Sequence, residues 1–414
     1  MTTYMEHTRH ALLTRKEQRG EGVSILNDHI EQMDTHSDPA VDVLRWTDEK
    51  DGSFAIETTK RNAYPIAIGR GKLSSLPDVL AKFPEADSVF VVTDDHVSAL
   101  YLDATVSMIR GAGLSVQFSV IPHGECSKTW RVAEQLLASL AQGRAKRRTI
   151  LVALGGGVLC DLVGFVASTF MRGVPYVNLP TTLMAQLDAA IGGKTGIDFN
   201  GSKNLVGAFY HPSAVIVDPD VLATLPAREI RNGMAEAIKV GILYPELFSR
   251  IETLRPTWNG DVSDMESIVR CAIVGKLQFL KDDPYERSLM RMLNLGHTVG
   301  HALEAATDFA HFRHGEAVAI GIAIAVQVSQ RLEFCHPHIT ERILNCLKNC
   351  GLPVSLPSEY AASTWKELDV IRRIRNGKLN EVLPMDIGRC LIVDEVTIDD
   401  YKYAARSLDL ASRT

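Results

Sequence analysis

Short β-rich runs alternate with helical patterns over the first half of this chain and then almost disappear, and this change limits the folds that the chain can adopt. The β-rich runs are Ser88–Asp95, Thr149–Gly157, Tyr176–Thr182 and Ser213–Pro219. Strand, loop, helix and strand in that order are typical of a parallel sheet with helices on both faces. From Ile230 to Cys350 the apolar spacing is helical instead, so a helical region follows the sheet.

The fold class predicted from this order is an α/β N-terminal nucleotide-binding domain followed by an all-α C-terminal metal-binding domain. We place a polar N-terminal extension at residues 1–50, the α/β domain at 51–224 and the mainly helical domain at 225–414. Regular structure is expected to begin near Ser53, where apolar and polar residues start to alternate. A short β-like segment, Gly388–Val396, comes near the end of the chain.

The bulk composition excludes several classes of protein. The chain has 414 residues, of which 46% are hydrophobic and 23% charged, and its net charge of −6 provides no overall positive field for nucleic acid or an anionic membrane. Seven scattered cysteines without a CxxC pair favour reduced thiols and a cytoplasmic location. The N-terminus lacks the apolar core of a signal peptide, and Glu316–Leu332 fits a buried helix better than a membrane span.

A glycine triplet, residues 155–157, follows one β-rich run and opens a helical pattern. Backbone amides at such a turn can approach a pyrophosphate, and a helix N-terminus favours negative charge. Asp161 lies just inside the helix, and Asp94 ends an earlier strand where a ribose hydroxyl is commonly held. The spacing is not GxGxxG, so a tight strand-to-helix connection explains the triplet equally well, and a solvated strand end explains Asp94.

A glycine-rich segment at residues 184–209 concentrates Asp188, Lys194, Lys203 and Asn204 between apolar elements. Lysines delivered from such a backbone can reach a phosphate without steric hindrance. A solvated loop remains the competing interpretation for any single lysine.

A set of potential metal ligands lies in the helical half. Glu236 shares a helical face with Lys239, and His297, His301 and His314 fall within eighteen positions of one another. One glutamate and two histidines with an open position are the ligands of a catalytic Zn²⁺ site, although no HExxH occurs. A buried structural histidine is the alternative for each imidazole.

Two further groups could complete a pocket around this set. If residues 290–301 form one helix, Met290, Asn294, His297 and His301 share a face. Lys276, Asp283 and Glu286 could supply a charged rim, for which a solvated helix-to-loop surface is the alternative.

Taken together, these segments resemble the 3-dehydroquinate synthase-like sugar phosphate cyclases over about residues 67–391. The matching motifs, in order, are GECSKT (Gly124–Thr129), GGGVLCDLVGFVASTFMRG, PTTLMAQLDAAIGGKTGID, GSKNLVGAF, TLPAREIRNGMAEAIKVG, LNLGHTVGHALE and HGEAV. Their number and order make the resemblance highly specific. It implies a two-domain fold, NAD⁺ in the cleft between the domains, one Zn²⁺ or Co²⁺, and a homodimer.

The resemblance also implies roles for single residues, which fall into three groups. The implied metal ligands are Glu236, His297 and His314. The implied NAD contacts are Asp94, Glu125, Lys128, Gly156, Gly157, Asp161, Thr181, Thr182, Asp188, Lys203, Thr224, Leu225 and Glu229. The implied catalytic and substrate-binding residues are Lys194, Asn204, Asn294 and His301, with Lys239, Lys276, Asp283 and Glu286 lining the pocket and Arg172 reaching the phosphate in the neighbouring subunit's site.

The reaction that the resemblance implies uses NAD⁺ without net redox change. The metal polarises a substrate hydroxyl, a hydride leaves to NAD⁺, and the new ketone acidifies the neighbouring C–H so that phosphate is eliminated. The hydride then returns, the ring opens, and an intramolecular aldol reaction closes a carbocycle.

One departure from the family pattern bears on the substrate. Dehydroquinate synthases carry an arginine four residues before the asparagine of LNxGH, where it helps to hold the substrate carboxylate, and here that position is Met290. In addition, Pro284 replaces an acid, and Arg372 and Arg373 align with paired lysines. An unpaired buried carboxylate would cost several kcal/mol. Within the family, the cyclases that lack this carboxylate-binding pattern include those that act on sedoheptulose 7-phosphate. The resemblance therefore implies this substrate and its conversion to 2-epi-5-epi-valiolone for C7-cyclitol (aminocyclitol) antibiotic-type biosynthesis.

Other activities remain open from the sequence alone. They are 3-dehydroquinate synthase, 2-deoxy-scyllo-inosose synthase, another cyclase of sedoheptulose 7-phosphate and, in a different class, a metal-dependent polyol dehydrogenase. The lysine, asparagine and histidine set argues against the dehydrogenase, because a plain alcohol needs no phosphate-binding cluster.

Overall fold

The computed structural model describes residues 43–48, 54–59, 62–254, 264–285, 287–288 and 291–412. Glu286 and Met290, both singled out from the sequence, lie outside the described residues. A first compact unit ends at Tyr64, and a second runs from Pro65 to Thr414.

The first unit contains an antiparallel hairpin of β1 (Val43–Asp48) and β2 (Phe54–Thr59). Regular structure therefore begins before Ser53, inside the stretch that the sequence assigns to a polar extension. The sequence VLRWTD of β1 contains both residues that favour strands and charged residues. Its strand conformation depends on pairing with β2, and the composition of residues 1–50 does not predict that pairing.

The second unit begins with a six-stranded parallel sheet in the order β3-β10-β7-β6-β4-β5. Its strands are β3 (Ile66–Ile68), β4 (Ser88–Asp94), β5 (Ser115–Ile121), β6 (Ile150–Gly155), β7 (Tyr176–Pro180) and β10 (Ala214–Val217). The central strands β6 and β7 are buried along their whole length, as expected for strands covered on both faces. The edge strand β5 has mostly exposed or half-buried side chains.

Helices cover both faces of this sheet. They are α1 (Leu76–Leu80), α2 (Asp103–Gly111), α3 (Trp130–Gln142) and α4 (Gly157–Thr169), and a helical run through Asp95–Val97 and Ser98–Leu102 leads into α2. Because strand side chains alternate, Phe90 and Val92 pack on the α3 and α4 face, whereas Val89 and Val91 pack on the α1 and α2 face. A separate antiparallel hairpin, β8 (Lys194–Phe199) and β9 (Ser202–Phe209), lies between β7 and β10 in sequence.

A helical region follows the sheet, so the predicted fold class is confirmed. Its elements are α5 (Ala227–Leu243), α6 (Pro245–Glu252), α7 (Met265–Leu280), α8 (His297–Ala306), α9 (His314–Arg331), α10 (Pro337–Asn349), α11 (Ser358–Ile374), β11 (Glu381–Asp386), β12 (Arg389–Val393) and α12 (Ile398–Ser412). Helix α9 is buried over nearly all of its surface, as its continuous apolar sequence predicts. Among the described residues, no helix combines the length and apolar character needed to cross a membrane.

The expectation that residues 290–301 form one helix is wrong. Met292–Asn294 form a short 3₁₀ turn, Leu295 is extended, and Gly296 has a φ of 77°, after which α8 starts at His297. Asn294 therefore shares no helical face with His297, and Arg291 cannot be placed by helical rotation either. Gly296 produces the break, since only glycine adopts this left-handed conformation without strain.

Helix α9 packs against the Gly296 turn with almost no space. A Cβ atom added at Gly321 would lie 1.9 Å from the Gly296 carbonyl oxygen. Because Gly296 and Gly321 have no side chains, the backbone that precedes His297 can pack directly against α9.

Replacing Gly321 by Ala should lower the free energy of unfolding by about 1–3 kcal/mol, because the added methyl group overpacks this contact. Gly111→Ala in α2 is a matched control, since an added Cβ there meets no atom within 4 Å. Chemical denaturation of both variants measures the difference. Equal stability of the two variants would contradict the close packing of α9 on the Gly296 turn.

Candidate metal and dinucleotide site

One glutamate and two histidines converge in the helical region. Glu236 lies in the middle of α5, whereas His297 and His314 are the first residues of α8 and α9. The Nε2 atoms of His297 and His314 lie 3.6 and 3.7 Å from Oε1 of Glu236, and one ligand atom from each residue falls within 4.8 Å of the others. The structure therefore brings together the three residues implied as metal ligands.

Hydrogen bonds at the other ring nitrogen orient both imidazoles. Nδ1 of His297 lies 3.1 Å from the Leu295 carbonyl oxygen, and Nδ1 of His314 lies 3.2 Å from Oε2 of Glu304. Both acceptors require a proton on Nδ1, so each Nε2 presents its lone pair to the cluster when the ring is neutral. Burial, with the charge of Lys239, holds the pKa of His297 well below its usual value and favours the neutral ligand form.

The carboxylate of Glu236 fits a cation. The residue is 1% exposed, and neither carboxylate oxygen accepts a well-directed hydrogen bond from the residues that the structure describes, although the Lys239 ammonium contacts Oε2 as an ion pair. A buried carboxylate without hydrogen bonds is costly. Two imidazole nitrogens and one carboxylate suit Zn²⁺ or Co²⁺ and leave a coordination position open.

Glu304 is a functional residue that the sequence analysis missed. Its side chain is 1% exposed and joins Nδ1 of His314 to the Lys203 ammonium, which lies 2.9 Å from its other oxygen. Burial raises the pKa of Glu304, but the hydrogen bond to His314 and the charges of His314 and Lys203 outweigh burial and lower the pKa to about 2. The i, i+4, i+7 spacing of His297, His301 and Glu304 on α8 was a usable signal.

The remaining helical-region candidates lie around this cluster or support it. The His301 ring lies 5.1 Å from the His297 ring and 6.0 Å from the His314 ring, measured between centroids. The Lys276 ammonium contacts the carbonyl oxygens of Asp188 and Ile191 at 2.6 and 2.9 Å and the Asp188 carboxylate at 2.7 Å. Lys276 therefore anchors α7 to the 188–191 turn. The carboxylate of Asp283 accepts hydrogen bonds from the amides of residues 287 and 288, which fixes its own loop.

At the sheet, the glycine triplet lies where β6 ends and α4 begins. Gly156 precedes the first residue of α4, and a Cβ atom there would lie 3.1 Å from Cγ2 of Thr182. The hydroxyl of Thr181 is buried and has no hydrogen-bond partner among the described residues. This helix N-terminus and the free hydroxyl fit a pyrophosphate-containing cofactor.

Lys128 connects residues from two of the predicted groups. It is 3% exposed, and its ammonium donates to the side chains of Asp161 and Asn204. Burial lowers the pKa of Lys128, but Asp161 and Glu125 outweigh burial and raise it, so this lysine stays charged. Asp161, a predicted dinucleotide contact, and Asn204, a predicted substrate contact, therefore bind the same buried ammonium group.

Further predicted dinucleotide contacts lie at the carboxyl edge of the sheet and the start of α5. One carboxylate oxygen of Asp94 accepts hydrogen bonds from the amides of residues 96 and 97, each at 2.9 Å. The Thr224 hydroxyl lies 2.7 Å from the hydroxyl of Tyr101, a neighbour that the sequence analysis did not identify. Glu229 pairs with Arg313, which precedes His314.

The predicted trans-acting Arg172 is exposed. It follows Met171 in a turn where both residues have positive φ angles, 50° for Met171 and 67° for Arg172, before Gly173 at 117°. The structure places its side chain on the surface of the sheet region.

Two family models match this chain, one mainly over the sheet region and the other over the helical region. The family model described as 3-dehydroquinate synthase N-terminal matches residues 118–232, and that described as 3-dehydroquinate synthase C-terminal matches residues 233–373. The chain belongs to the 3-dehydroquinate synthase family. These are sugar phosphate cyclases, so the resemblance seen in the sequence is confirmed.

Individual relatives include cyclases of different substrates. A 2-epi-valiolone synthase from Stigmatella aurantiaca is 44% identical over 366 residues, which cover 85% of this chain and 90% of the relative. A 3-dehydroquinate synthase from Caldanaerobacter subterraneus subsp. tengcongensis is 38% identical over 336 residues, covering 81% and 94%. The structure of ValA, a 2-epi-5-epi-valiolone synthase from Streptomyces hygroscopicus with NAD⁺ and Zn²⁺ bound, superposes with a TM-score of 0.79 at 29% identity, covering 87% of this chain and all of ValA.

Replacing Glu304 by Gln should weaken Zn²⁺ binding by roughly 10- to 100-fold, because His314 loses the charged partner that orients it. Competition with a chromogenic chelator measures the affinity. Glu246→Gln, which breaks a surface ion pair with Arg250, is the matched control and should bind zinc like the wild type. Unchanged zinc affinity in Glu304→Gln would show that Glu304 does not orient the ligand.

Proposed function

We propose that this cyclase binds NAD⁺ and Zn²⁺ (or Co²⁺) and converts sedoheptulose 7-phosphate, with release of phosphate, to a valiolone. The observation that carries the proposal is the buried cluster of Glu236, His297 and His314, combined with Met290 at the position of the family's carboxylate-binding arginine. A bound metal ion would polarise a substrate hydroxyl and lower its pKa. Bound NAD⁺ would accept a hydride and return it within the same turnover.

The residues of the chain hold and orient the reactants. Glu236, His297 and His314 supply the metal ligands, and Lys239 balances the charge of the buried carboxylate. We assign the substrate and its phosphate to Lys194, Asn204, Asn294 and His301, as the family resemblance implies. Lys128 fixes Asn204 relative to Asp161, so cofactor and substrate are positioned by one charged network.

The three arginines that could replace the missing cation have partners of their own. The Arg291 guanidinium donates to the Ser288 carbonyl oxygen at 2.8 Å, and Arg372 and Arg373 both pair with Asp369. These contacts support the inference that neither Arg291 nor the arginine pair replaces the cation that Met290 lacks. A hydroxymethyl group, unlike a carboxylate, requires no cation at that place.

The names of two relatives bear on the stereochemistry that we propose for the product. The sequence analysis expects 2-epi-5-epi-valiolone, which is the product named for ValA at 29% identity. The relative at 44% identity is named for 2-epi-valiolone instead. We therefore favour 2-epi-valiolone as the product, in the same C7-cyclitol biosynthesis, with cytoplasmic location retained as an expectation.

We also propose a homodimer in which Arg172 reaches the phosphate in the neighbouring subunit's site. Met171, Phe199, Leu205 and Phe209 are large apolar side chains that are 43%, 50%, 60% and 45% exposed, and an interface between two copies would remove them from water. Burial of these residues against a second copy would bring Arg172 to the interface.

Purified protein should release phosphate from sedoheptulose 7-phosphate with catalytic NAD⁺ and Zn²⁺, and should release none from the dehydroquinate precursor or glucose 6-phosphate. NMR of the product distinguishes 2-epi-valiolone from 2-epi-5-epi-valiolone. Phosphate release from the dehydroquinate precursor alone would refute the substrate assignment. Stoichiometric accumulation of NADH would indicate a polyol dehydrogenase.

Met290→Arg should reduce kcat/KM for sedoheptulose 7-phosphate by at least about tenfold, which corresponds to about 1.4 kcal/mol, because it places an unpaired guanidinium beside a neutral group. Ser288→Arg adds the same side chain two positions earlier in the sequence, at an exposed residue, and should leave turnover near the wild-type value. Equal activity of Met290→Arg and the wild type would show that residue 290 does not face the substrate.

A further inference from the structure

A second cluster of potential metal ligands lies at the carboxyl edge of the sheet. Asp95 and His96 follow β4, and His123 follows the neighbouring strand β5. Because Asp94 is paired with Ile121 in the parallel register, the residues just beyond them are brought side by side. One ligand atom from each of these three residues lies within 4.8 Å of the others, and none of the three is a ligand in the Glu236 cluster.

The local hydrogen bonds organise this cluster before any ligand is present. Oδ1 of Asp95 accepts hydrogen bonds from the backbone amide of His123 at 3.0 Å and from its Nδ1 at 2.8 Å. The rings of His96 and His123 stack with centroids 3.7 Å apart and an interplanar angle of 18°. This stack holds the two imidazoles side by side at the ends of neighbouring strands.

The donor set is selective. Two imidazole nitrogens and one carboxylate oxygen suit Zn²⁺, Ni²⁺ or Cu²⁺, whereas Mg²⁺ and Ca²⁺ prefer oxygen ligands alone. Tetrahedral coordination at about 2.1 Å requires ligand atoms about 3.4 Å apart. The side chains of Asp95 and His123 are 51% and 55% exposed, so small rotations into solvent can bring the three ligand atoms to that spacing.

We propose that Asp95, His96 and His123 bind a second transition-metal ion, separate from the ion at Glu236. The site adjoins two predicted dinucleotide contacts, since Asp94 precedes Asp95 and Glu125 lies two residues after His123. The Asp94 carboxylate already caps the turn that carries His96. An ion held here fixes that turn and the residues before Glu125, preorganises two predicted NAD⁺ contacts and thereby raises the affinity for NAD⁺; this coupling rests on the proposed function.

Zinc counting tests the site directly. Holoenzyme that carries one zinc ion per chain is dialysed against increasing concentrations of ZnCl₂. Bound zinc is then measured by inductively coupled plasma mass spectrometry. The wild type should take up a second ion, and His96→Ala and His123→Ala should not. His338→Ala removes an exposed histidine outside the cluster and should behave like the wild type. A single ion per chain in the wild type, or a second ion that persists in both cluster variants, would overturn the proposal.

Calorimetric titration with NAD⁺ tests the coupling. The wild-type affinity should rise by about fivefold or more as the second ion binds, while the affinity of His123→Ala stays constant. A second ion that leaves the NAD⁺ affinity of the wild type unchanged would refute the coupling. Neither readout involves turnover, so a failure of the sedoheptulose 7-phosphate assay is distinguishable from a failure here.

Discussion

The buried carboxylate of Glu236 sets the main constraint on the helical region. It lies in the interior of α5, excluded from water, and the described part of the chain donates no hydrogen bond to either oxygen. Such a group is tolerated only beside compensating positive charge, and Lys239 supplies one cation in the same helix. The Nε2 atoms of His297 and His314 also face Oε1 of Glu236. A metal ion bound by these three side chains would compensate the remaining negative charge of the carboxylate.

Segments that are far apart in the sequence position the side chains of that cluster. The Gly296 turn introduces His297 against α9, and α9 begins with His314. Glu304 joins His314 to Lys203, which comes from β9 of the hairpin beside the sheet. The metal ligands and the predicted dinucleotide contacts are thereby linked through one chain of charged side chains, which fits a reaction that needs both at the same carbon.

The fold was predictable because its signals are local. Continuous apolar strands such as β6 and β7, followed by a mainly helical half, identify a parallel sheet and a helical region without tertiary information. The candidate ligands Glu236, His297 and His314 are recognisable from residue type and from the family motifs. Their convergence depends on three helices that only the folded chain brings together.

Where the sequence misled, a tertiary contact decided the outcome. Residues 290–301 carry a helical spacing, but the tight packing of α9 on Gly296 requires a left-handed turn there. The role of Lys276 as an anchor of the 188–191 turn, and that of Glu304 as the partner of His314, both arise from residues far apart in sequence. Short-range periodicity contains no information about such partners.

Thermal unfolding of metal-loaded and metal-stripped protein tests the central role of Glu236 most directly. For the wild type, zinc at about 1,000 times its dissociation constant should add about 4 kcal/mol to the free energy of unfolding and raise the midpoint accordingly. In Glu236→Gln, which removes the buried charge, addition or removal of zinc should change the midpoint much less. The same midpoint for wild-type protein with and without zinc would contradict the account.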